Sequence, residues 1–298
     1  MAAKSQKTQE YEASLTKRGK RMLFISRTAV YIVLAFLSLL CLFFFAMLVI
    51  NATRSHIQLN QPGFTMMPGT SFITNLVNAW NDASINIPRG MLNSFIVATL
   101  SSLLTTYFSA LTAYAIHCYR FKGRKLIYTF ILVIMMIPSQ VSAVGFVQMV
   151  NKLGLTNNYL PLIIPGIAAP VVFFYMKTYM ESVLPMEIIE AARVDGSNEF
   201  RTFNSIVLPI MKPAIAVQMI FSFVASWNNY FTPALIIDKA EMKTVPIMIA
   251  QLRSADYSKF DLGKMYMFIF LAILPVIVVY LILSKFIIKN VTSGAVKG

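Results

Sequence analysis

Charge is scarce in this 298-residue sequence: 13% of its residues are Asp, Glu, Lys or Arg, against 57% hydrophobic. A soluble domain would have too few polar side chains to cover its surface, so lipid is the expected solvent. Acid is scarcer still, with 12 Asp and Glu beside 26 Lys and Arg. The net charge of +14 could suit nucleic acid, but a nucleic-acid surface gathers its cations in a stripe on a polar fold. Here they sit between apolar runs and report membrane topology, so no nucleic-acid partner is expected.

Cysteine and histidine are nearly missing. Cys41 and Cys118 both lie in apolar stretches without a CxxC pair, which offers neither a disulfide framework nor a thiolate metal site. Only His56 and His117 occur, there is no HExxH, and no Gly-x-x-x-x-Gly-Lys-Ser/Thr cradles phosphate. The chain therefore has no catalytic residues to offer, no metal site, and no means of its own to hydrolyse ATP by that loop. His117, beside Tyr119 and Arg120, reads as an interfacial residue. The carboxylates fall in tails or loops: Glu10, Glu12, Asp82, Glu181, Glu187, Glu190, Asp195, Glu199, Asp238, Glu241, Asp256 and Asp261. A proton-coupled pump places such groups within its spans, so a carboxylate relay is disfavoured, whereas sodium coupling through backbone carbonyls stays open.

What the sequence has in abundance is long apolar runs. A bilayer core about 30 Å thick needs about 20 apolar residues in a helix, with every backbone polar group satisfied internally. Six segments meet this: Thr28–Ile50, Asn93–Ile116, Leu126–Val150, Tyr159–Met180, Ile206–Ile237 and Met265–Ile288. None alternates with period 2, which excludes a β-barrel. The first follows a polar stretch ending in Lys17, Arg18, Lys20, Arg21 and Arg27. It is longer than the about 7–15 residues of a signal-peptide core, and so reads as a retained anchor.

Lys and Arg are retained on the cytoplasmic side of a membrane. One side collects Lys4, Lys7, Lys17, Arg18, Lys20, Arg21, Arg27, Arg120, Lys122, Arg124, Lys125, Lys177, Arg193, Arg201, Lys212, Lys285, Lys289 and Lys297, eighteen of the 26. The other has Arg54, Arg89, Lys152, Lys239, Lys243, Arg253, Lys259 and Lys264. The expected fold is an all-α polytopic membrane bundle of six transmembrane helices with both termini cytoplasmic. Its parts are a basic tail (1–27), the first span (28–50), an external loop (51–92), a core (93–288) with a cytoplasmic loop at 181–205, and a tail (289–298). No internal repeat is visible.

The loop at 181–205 carries the most informative pattern. Pro185 suits the first turn of a helix running Met186 to Asp195, and Gly196 suits the left-handed residue that ends it. Ser197 is expected to cap a second short helix, with Glu199 in its first turn and Phe200, Phe203 and Val207 along one face. Pro209 and Pro213 mark return to the membrane. Glu190-Ala191-Ala192, three residues, Gly196, nine residues, Ile206, one residue, then Leu208-Pro209 resembles the EAA-loop signature of permeases in ATP-binding-cassette importers. An amphipathic connector on the membrane surface is the alternative, but it would not require those residues at those offsets.

Further elements are similar to the maltose-type carbohydrate permeases. They are Asn93-Ser94, Ala113-Tyr114-Ala115, Arg120-Phe121-x-Gly123, Pro138, Gly154-Leu155, Asp195-Gly196, Trp227-Asn228 and the ending Gly294 to Gly298. The resemblance implies an ATPase-coupling site at Glu190, Ala191, Ala192, Arg193, Asp195, Gly196, Ile206, Leu208 and Pro209. Glu190 and Arg193 would offer charge to the partner, and Ala191 and Ala192 close approach. It also implies a second related permease, two copies of a cytoplasmic ATPase that holds ATP and Mg, and an external sugar-binding protein met by the loop Asp238–Lys264. With no long external insertion, the chain would be the smaller permease, in the cytoplasmic (inner) membrane.

For the substrate pathway, sugar needs neutral hydrogen-bonding groups and flat apolar faces. The candidates are Ser139, Gln140, Ser142, Gln218, Trp227, Asn228, Asn229 and Tyr230. Against this stands a role as hydrogen-bond glue between helices, and Trp227 has the alternative of anchoring the interface. Other cargo, a polyol or glycerol phosphate, fits the same architecture. An intramembrane enzyme would need catalytic groups in the spans, and a scaffold would not need the loop.

Overall fold

The computed structural model describes residues 17–138, 140–254 and 261–295. Ser139, Asp256, Lys259, the residues before Lys17 and those after Ala295 lie outside the described residues. In chain order the helices are α1 (Lys17–Ala52), α2 (His56–Asn60), α3 (Phe72–Trp80), α4 (Ile87–Cys118), α5 (Arg124–Ile134), α6 (Ala143–Lys152) and α7 (Leu160–Ile163). There follow α8 (Pro170–Val183), α9 (Met186–Val194), α10 (Glu199–Thr202), α11 (Leu208–Ile210), α12 (Lys212–Trp227), α13 (Phe231–Ile236), α14 (Val245–Ser254) and α15 (Leu262–Ala295).

Among the described residues four helical stretches are long and apolar enough to cross a membrane: Arg21–Ala52, Ile87–Cys118, Leu160–Val183 and Leu262–Lys285. A fifth crossing arises if the pair Glu199–Ile210 and Lys212–Trp227, bent by 82°, is one span. The third expected span, Leu126–Val150, is instead two helices of 11 and 10 residues, α5 and α6. Pro138 accounts for the break, because it lacks an N–H and biases Ile137 away from helical geometry. The expected loop 51–92 also differs, since it folds α2 and α3 and gives its last residues to α4. Asn75 of α3, buried, donates to the carbonyls of Ala52 and Arg54, both at 2.9 Å, and so ties α3 to the end of α1.

α4 is the centre of the bundle, packed along α12 on one side and α8 on another. Small residues allow the close approach: Ala98, Ser102, Ser109, Ala110 and Ala113 are all buried. Thr106 Oγ1 donates back to the Ser102 carbonyl at 2.8 Å, satisfying a hydroxyl where water is absent. α15 packs on α12 and on α1. In contrast, α1 is unburied along its apolar window and shows its side chains outward, as a helix solvated by lipid does.

Two cores result. One, around Tyr114, Met176, Met180, Ile189, Phe203 and Met211, sits where α4 and α8 end and α9 begins. The other, around Ile87, Phe223, Trp227, Val245 and Phe268, sits at the opposite end, where α14 and the start of α15 meet α4.

Two residues assigned to loops lie on a helix. Lys177 and Glu181 are both on α8, where they pair one turn apart. The Lys177 ammonium also stands 4.6 Å from the centre of the Tyr128 ring on α5. A buried lysine is tolerated because a carboxylate and an aromatic face replace its water.

Candidate functional site

The segment from Pro185 to Met211 builds the first candidate site. Pro185 is the N-cap of α9, extended at φ −65° and ψ 143°, one position before the turn the sequence suggested. α9 buries Ile189 and Ala192 against the bundle and shows Glu187, Ile188, Glu190, Ala191 and Val194 outward. Val194 is 88% exposed, so an aliphatic side chain stands out beyond the end of the bundle.

Gly196 ends α9 as its position predicts, with φ +74°. Its N–H donates to the Arg193 carbonyl at 3.0 Å, and the next N–H, of Ser197, donates to the Ala192 carbonyl at 2.9 Å. This pair of bonds is a Schellman ending, which satisfies carbonyls left over by the helix. The cap of α10 is Asn198 and not Ser197: its Oδ1 accepts the Arg201 N–H at 2.8 Å. Ser197 faces inward and accepts from Thr202 Oγ1 at 2.9 Å. Of the three expected apolar contacts, Phe203 and Val207 are fully buried, whereas Phe200 is 71% exposed. A π-helical turn, Phe203–Val207, adds a residue between the two buried side chains.

Arg193 is also placed differently from expectation. Its Nε donates to Glu199 Oε1 at 2.8 Å, and its guanidinium lies 5.4 Å from the centre of the Tyr119 ring. It is turned back toward its own chain, which leaves Glu190, Ala191 and Asp195 as the outward groups of the motif. Glu199 Oε2 accepts from Tyr114 OH at 2.5 Å. Burial works to raise the Glu199 carboxyl, but hydrogen bonds from Tyr114, Tyr119 and Arg193, with the Arg193 charge, outweigh it and hold the group at about 2. Burial, and then Glu199, push the Tyr119 phenol up. Ile206, Leu208 and Pro209 do not join the outward face. They lie at the 82° bend, where Leu208 packs on the core and Pro209 and Pro213 spare the bent chain unpaired N–H groups.

The second candidate site is an open cleft of 650 Å³ lined by Trp227, Asn228, Tyr230 and residues of α14 and α15, among them Pro246, Ile249 and Ile273. Tyr230 and Ala250 are shared with a neighbouring cleft of 360 Å³ that adds Asp238, Lys243 and Gln251. Of the eight polar candidates, these clefts gather Trp227, Asn228 and Tyr230. Gln140 and Ser142 are exposed near the break after α5, Gln218 is buried in α12, and Asn229 turns its Oδ1 to the Thr232 N–H at 3.3 Å. Trp227 is itself buried, stacked 5.8 Å from Phe223, with its indole N–H donated to the Ala272 carbonyl at 3.0 Å. It is a wall of the cleft and no interfacial anchor. The contributions of α14 and α15 carry no local sequence signal, since they are ordinary apolar residues.

The same end holds a polar clamp that the sequence marked only as a weak motif. Asn93 Nδ2 donates to the carbonyls of Glu241 and Lys243, both at 2.9 Å, and Ser94 Oγ accepts the Val245 N–H at 2.8 Å. Asn157, at φ +57°, accepts the N–H groups of Asp238 and Lys239 on its Oδ1, and Tyr159 OH donates to the Met242 carbonyl at 3.1 Å. Gly90 lets α14 approach, for a Cβ there would stand 2.3 Å from Met248 Sδ. Among the described residues no group of three or more His, Cys, Asp or Glu is placed to hold a metal.

Fold and site together define a multi-pass helical membrane protein that offers a short exposed helix beyond one end of its bundle. Residues 106–292 match the family described as binding-protein-dependent transport system inner membrane component, and the chain belongs to that family. It is a transport permease subunit of an ATP-binding-cassette importer, resident in the inner membrane, and not an enzyme. It is 32% identical over 279 residues to the arabinooligosaccharides transport system permease protein AraQ of Bacillus subtilis, covering 92% of this chain and 97% of that one. The trehalose/maltose transport system permease protein MalG of Thermococcus litoralis is 31% identical, with coverage of 88% and 94%. The sn-glycerol-3-phosphate transport system permease protein UgpE of Shigella flexneri is 28% identical, with coverage of 77% and 83%. A crystal structure of a bacterial ABC transporter that imports the acidic polysaccharide alginate contains a chain of the same fold, with TM-score 0.76, 20% identity and coverage of 91% and 98%.

Proposed function

We propose that the chain is one of two related permeases in an importer of sugars or oligosaccharides, and that α9 is the helix through which two copies of an ATPase drive it. The observation that carries this reading is the exposed face of α9. Glu190, Ala191 and Asp195 stand outward beside Val194 on a helix ended by a left-handed glycine, and the motif that names the family's coupling loop is the same stretch. Small residues there permit close backbone approach, and the carboxylates supply the polar rim that an ATPase cleft would meet. ATP and Mg belong to that partner.

The chain crosses the membrane six times in this reading, with α5 and α6 as one broken crossing and both termini cytoplasmic. An external binding protein delivers cargo at the end where Asn93 and Ser94 clamp the 238–245 stretch, and the Trp227–Tyr230 cleft lines part of the path. Sugar is favoured because the larger cleft offers amide, phenol and flat apolar surface without a cation among its lining residues. Relatives that carry glycerol phosphate keep a second reading in view, and Lys243 in the smaller cleft is the group it would use.

The test has three arms. Co-purification with the host's cytoplasmic ABC ATPase should survive in the parent and fail in Glu190→Lys. An impermeant thiol reagent should label Met67→Cys, but not Val194→Cys, in intact cells. Calorimetry on the external binding protein that supports uptake through this permease should show an affinity for sugar over glycerol phosphate. Labelling of Val194→Cys from outside would overturn the orientation and the docking role together.

A further inference from the structure

Glu199 lies outside the motif residues, yet its carboxylate joins three segments. Oε1 takes the Arg193 Nε of α9 and Oε2 takes the phenol of Tyr114 on α4, while Tyr119, just past the end of α4, lays its ring against both Tyr114 and the Arg193 guanidinium. Tyr114 is only 2% exposed and lies one turn from the end of the central helix. Its ring packs on Phe203 at 5.5 Å and on Tyr119 at 5.9 Å, so the phenol is held in place from behind. The other links from this loop to α4 are neutral and longer: Tyr107 OH to Asn204 Oδ1 at 3.3 Å and His117 Nε2 with the Leu184 carbonyl at 3.2 Å. A carboxylate that uses both oxygens makes shorter, stronger and more directional bonds than these, whereas apolar contacts such as Phe203 slide.

We infer that Glu199 is the positioning residue that makes α9 and α4 move as one body, with Arg193 as its grip on α9 and Tyr114 as its grip on the spanning helix. This rests on the reading of α9 as the ATPase-docking helix. A push on the exposed face of α9 is then delivered to α4, whose far end carries the Asn93 and Ser94 clamp. Arg193, spent on Glu199 and Tyr119, takes part in the transmission and not in the docking face.

The experiment uses the complete importer, purified with its ATPase, in a background where Cys41 and Cys118 are replaced. Spin labels are placed at Val194→Cys on α9 and Leu103→Cys on α4, both exposed positions. Their distance is measured without nucleotide and with ATP bound. In the parent it should be the same in both states. In Glu199→Gln, and separately in Tyr114→Phe, which keeps the ring and its packing, ATP should shift the distance beyond the parent's distribution while the ATPase still co-purifies and hydrolyses ATP. Variants that hold the parent's distance in both states would overturn the inference. So would loss of the ATPase from both variants in parallel, which marks a merely structural role. A parent chain that retains no ATPase would instead sink the docking reading itself, and the two failures are thereby told apart.

Discussion

At one end of α4 a carboxylate, a guanidinium and two phenols are fastened side chain to side chain; at the other a buried amide, a buried hydroxyl and the exposed Arg89 guanidinium are fastened to backbone groups. Tyr114 and Glu199 make the first junction, Asn93 and Ser94 with the 241–245 backbone the second. α4 spans 32 residues, roughly 48 Å by the helical rise. In the proposed reading a partner pushes on the first end, and the charge-assisted bonds there are the shorter and stronger kind. The groups buried beside the cleft, Asn93 and Ser94, are neutral, and a buried ion in their place would cost several kcal/mol. On that reading one helix serves two tasks with its two ends tied by different chemistry.

Four experiments bear on that contrast. The largest effect is expected at Gly196. Valine there must adopt φ +74°, which β-branched residues resist, although its Cβ would meet nothing within 4 Å. Gly196→Val should abolish ATPase docking and leave the protein inserted, with amide protection at 241–245 unchanged. Gly196→Asn should keep docking, since Asn tolerates the left-handed region. Equal behaviour of the two variants would refute backbone strain as the cause.

At the other end, Gly90→Val should force the Met248 side chain aside and lower transport, and Met248→Ala in the same chain should restore much of it. Docking of the ATPase should be unaffected by either change. A failure of the second substitution to rescue would show that something other than the Gly90–Met248 approach fixes α14.

A smaller effect is expected from the clamp itself. Asn93→Ala takes the side-chain donor from the Lys243 carbonyl and leaves the Glu241 carbonyl with the longer bond from Arg89 Nε at 3.3 Å, and Ser94→Ala leaves the buried Val245 N–H unpaired. Each should cost about 1–3 kcal/mol of local stability, read as faster hydrogen exchange confined to the 241–245 backbone. Exchange that rises equally in α9 would mean that the two ends are not separately tied.

The gentlest test is acid. The Glu199 carboxyl is held at about 2 against an ordinary 4.5, so its contribution is whole above that ordinary value and is lost as pH falls toward about 2. Asp82 behaves likewise: burial raises it, but the Lys264 bond and the Ser84 and Ile85 donors win and set it at about 2 against 3.8. Hydrogen exchange, corrected for its intrinsic pH dependence, should therefore rise at 193–201 and 82–85 between pH 4.5 and 2. The Asn93 and Ser94 clamp has no proton to gain and should hold. Loosening at 241–245 in step with the other two would count against a neutral clamp.

Much of the α9 segment was legible because it depends on local rules. Pro185 before a helix, a left-handed Gly196 after it and a bend near Pro209 and Pro213 follow from backbone sterics within a few residues. Trp227 and Asn228 were legible as polar or amphipathic exceptions in an apolar run. Arg193 was not, since its role depends on Glu199 six residues on and on Tyr119 far upstream. The cap is Asn198 and not Ser197, whose hydroxyl is taken by Thr202, and Phe200 turns outward while Phe203 goes in; both outcomes depend on how the loop docks on the bundle and leave no periodic trace. Lys177 was read as a loop cation for want of its two neighbours, Glu181 and Tyr128, which only packing brings to it.

The sequence by itself determined a lipid-solvated helical bundle, the places of four of its six expected apolar helices and the family to which it belongs. Hydropathy, side-chain volume and φ restriction act residue by residue and survive in one dimension. Tertiary structure alone decided that Tyr114 meets Glu199, that Ser94 meets Val245, and that Trp227 walls a cleft against Ala272, pairs separated by 85, 151 and 45 positions. Such partners are selected by which helices lie side by side, and in lipid that choice is made by close packing of small residues and by a few buried hydrogen bonds, neither of which repeats along the chain.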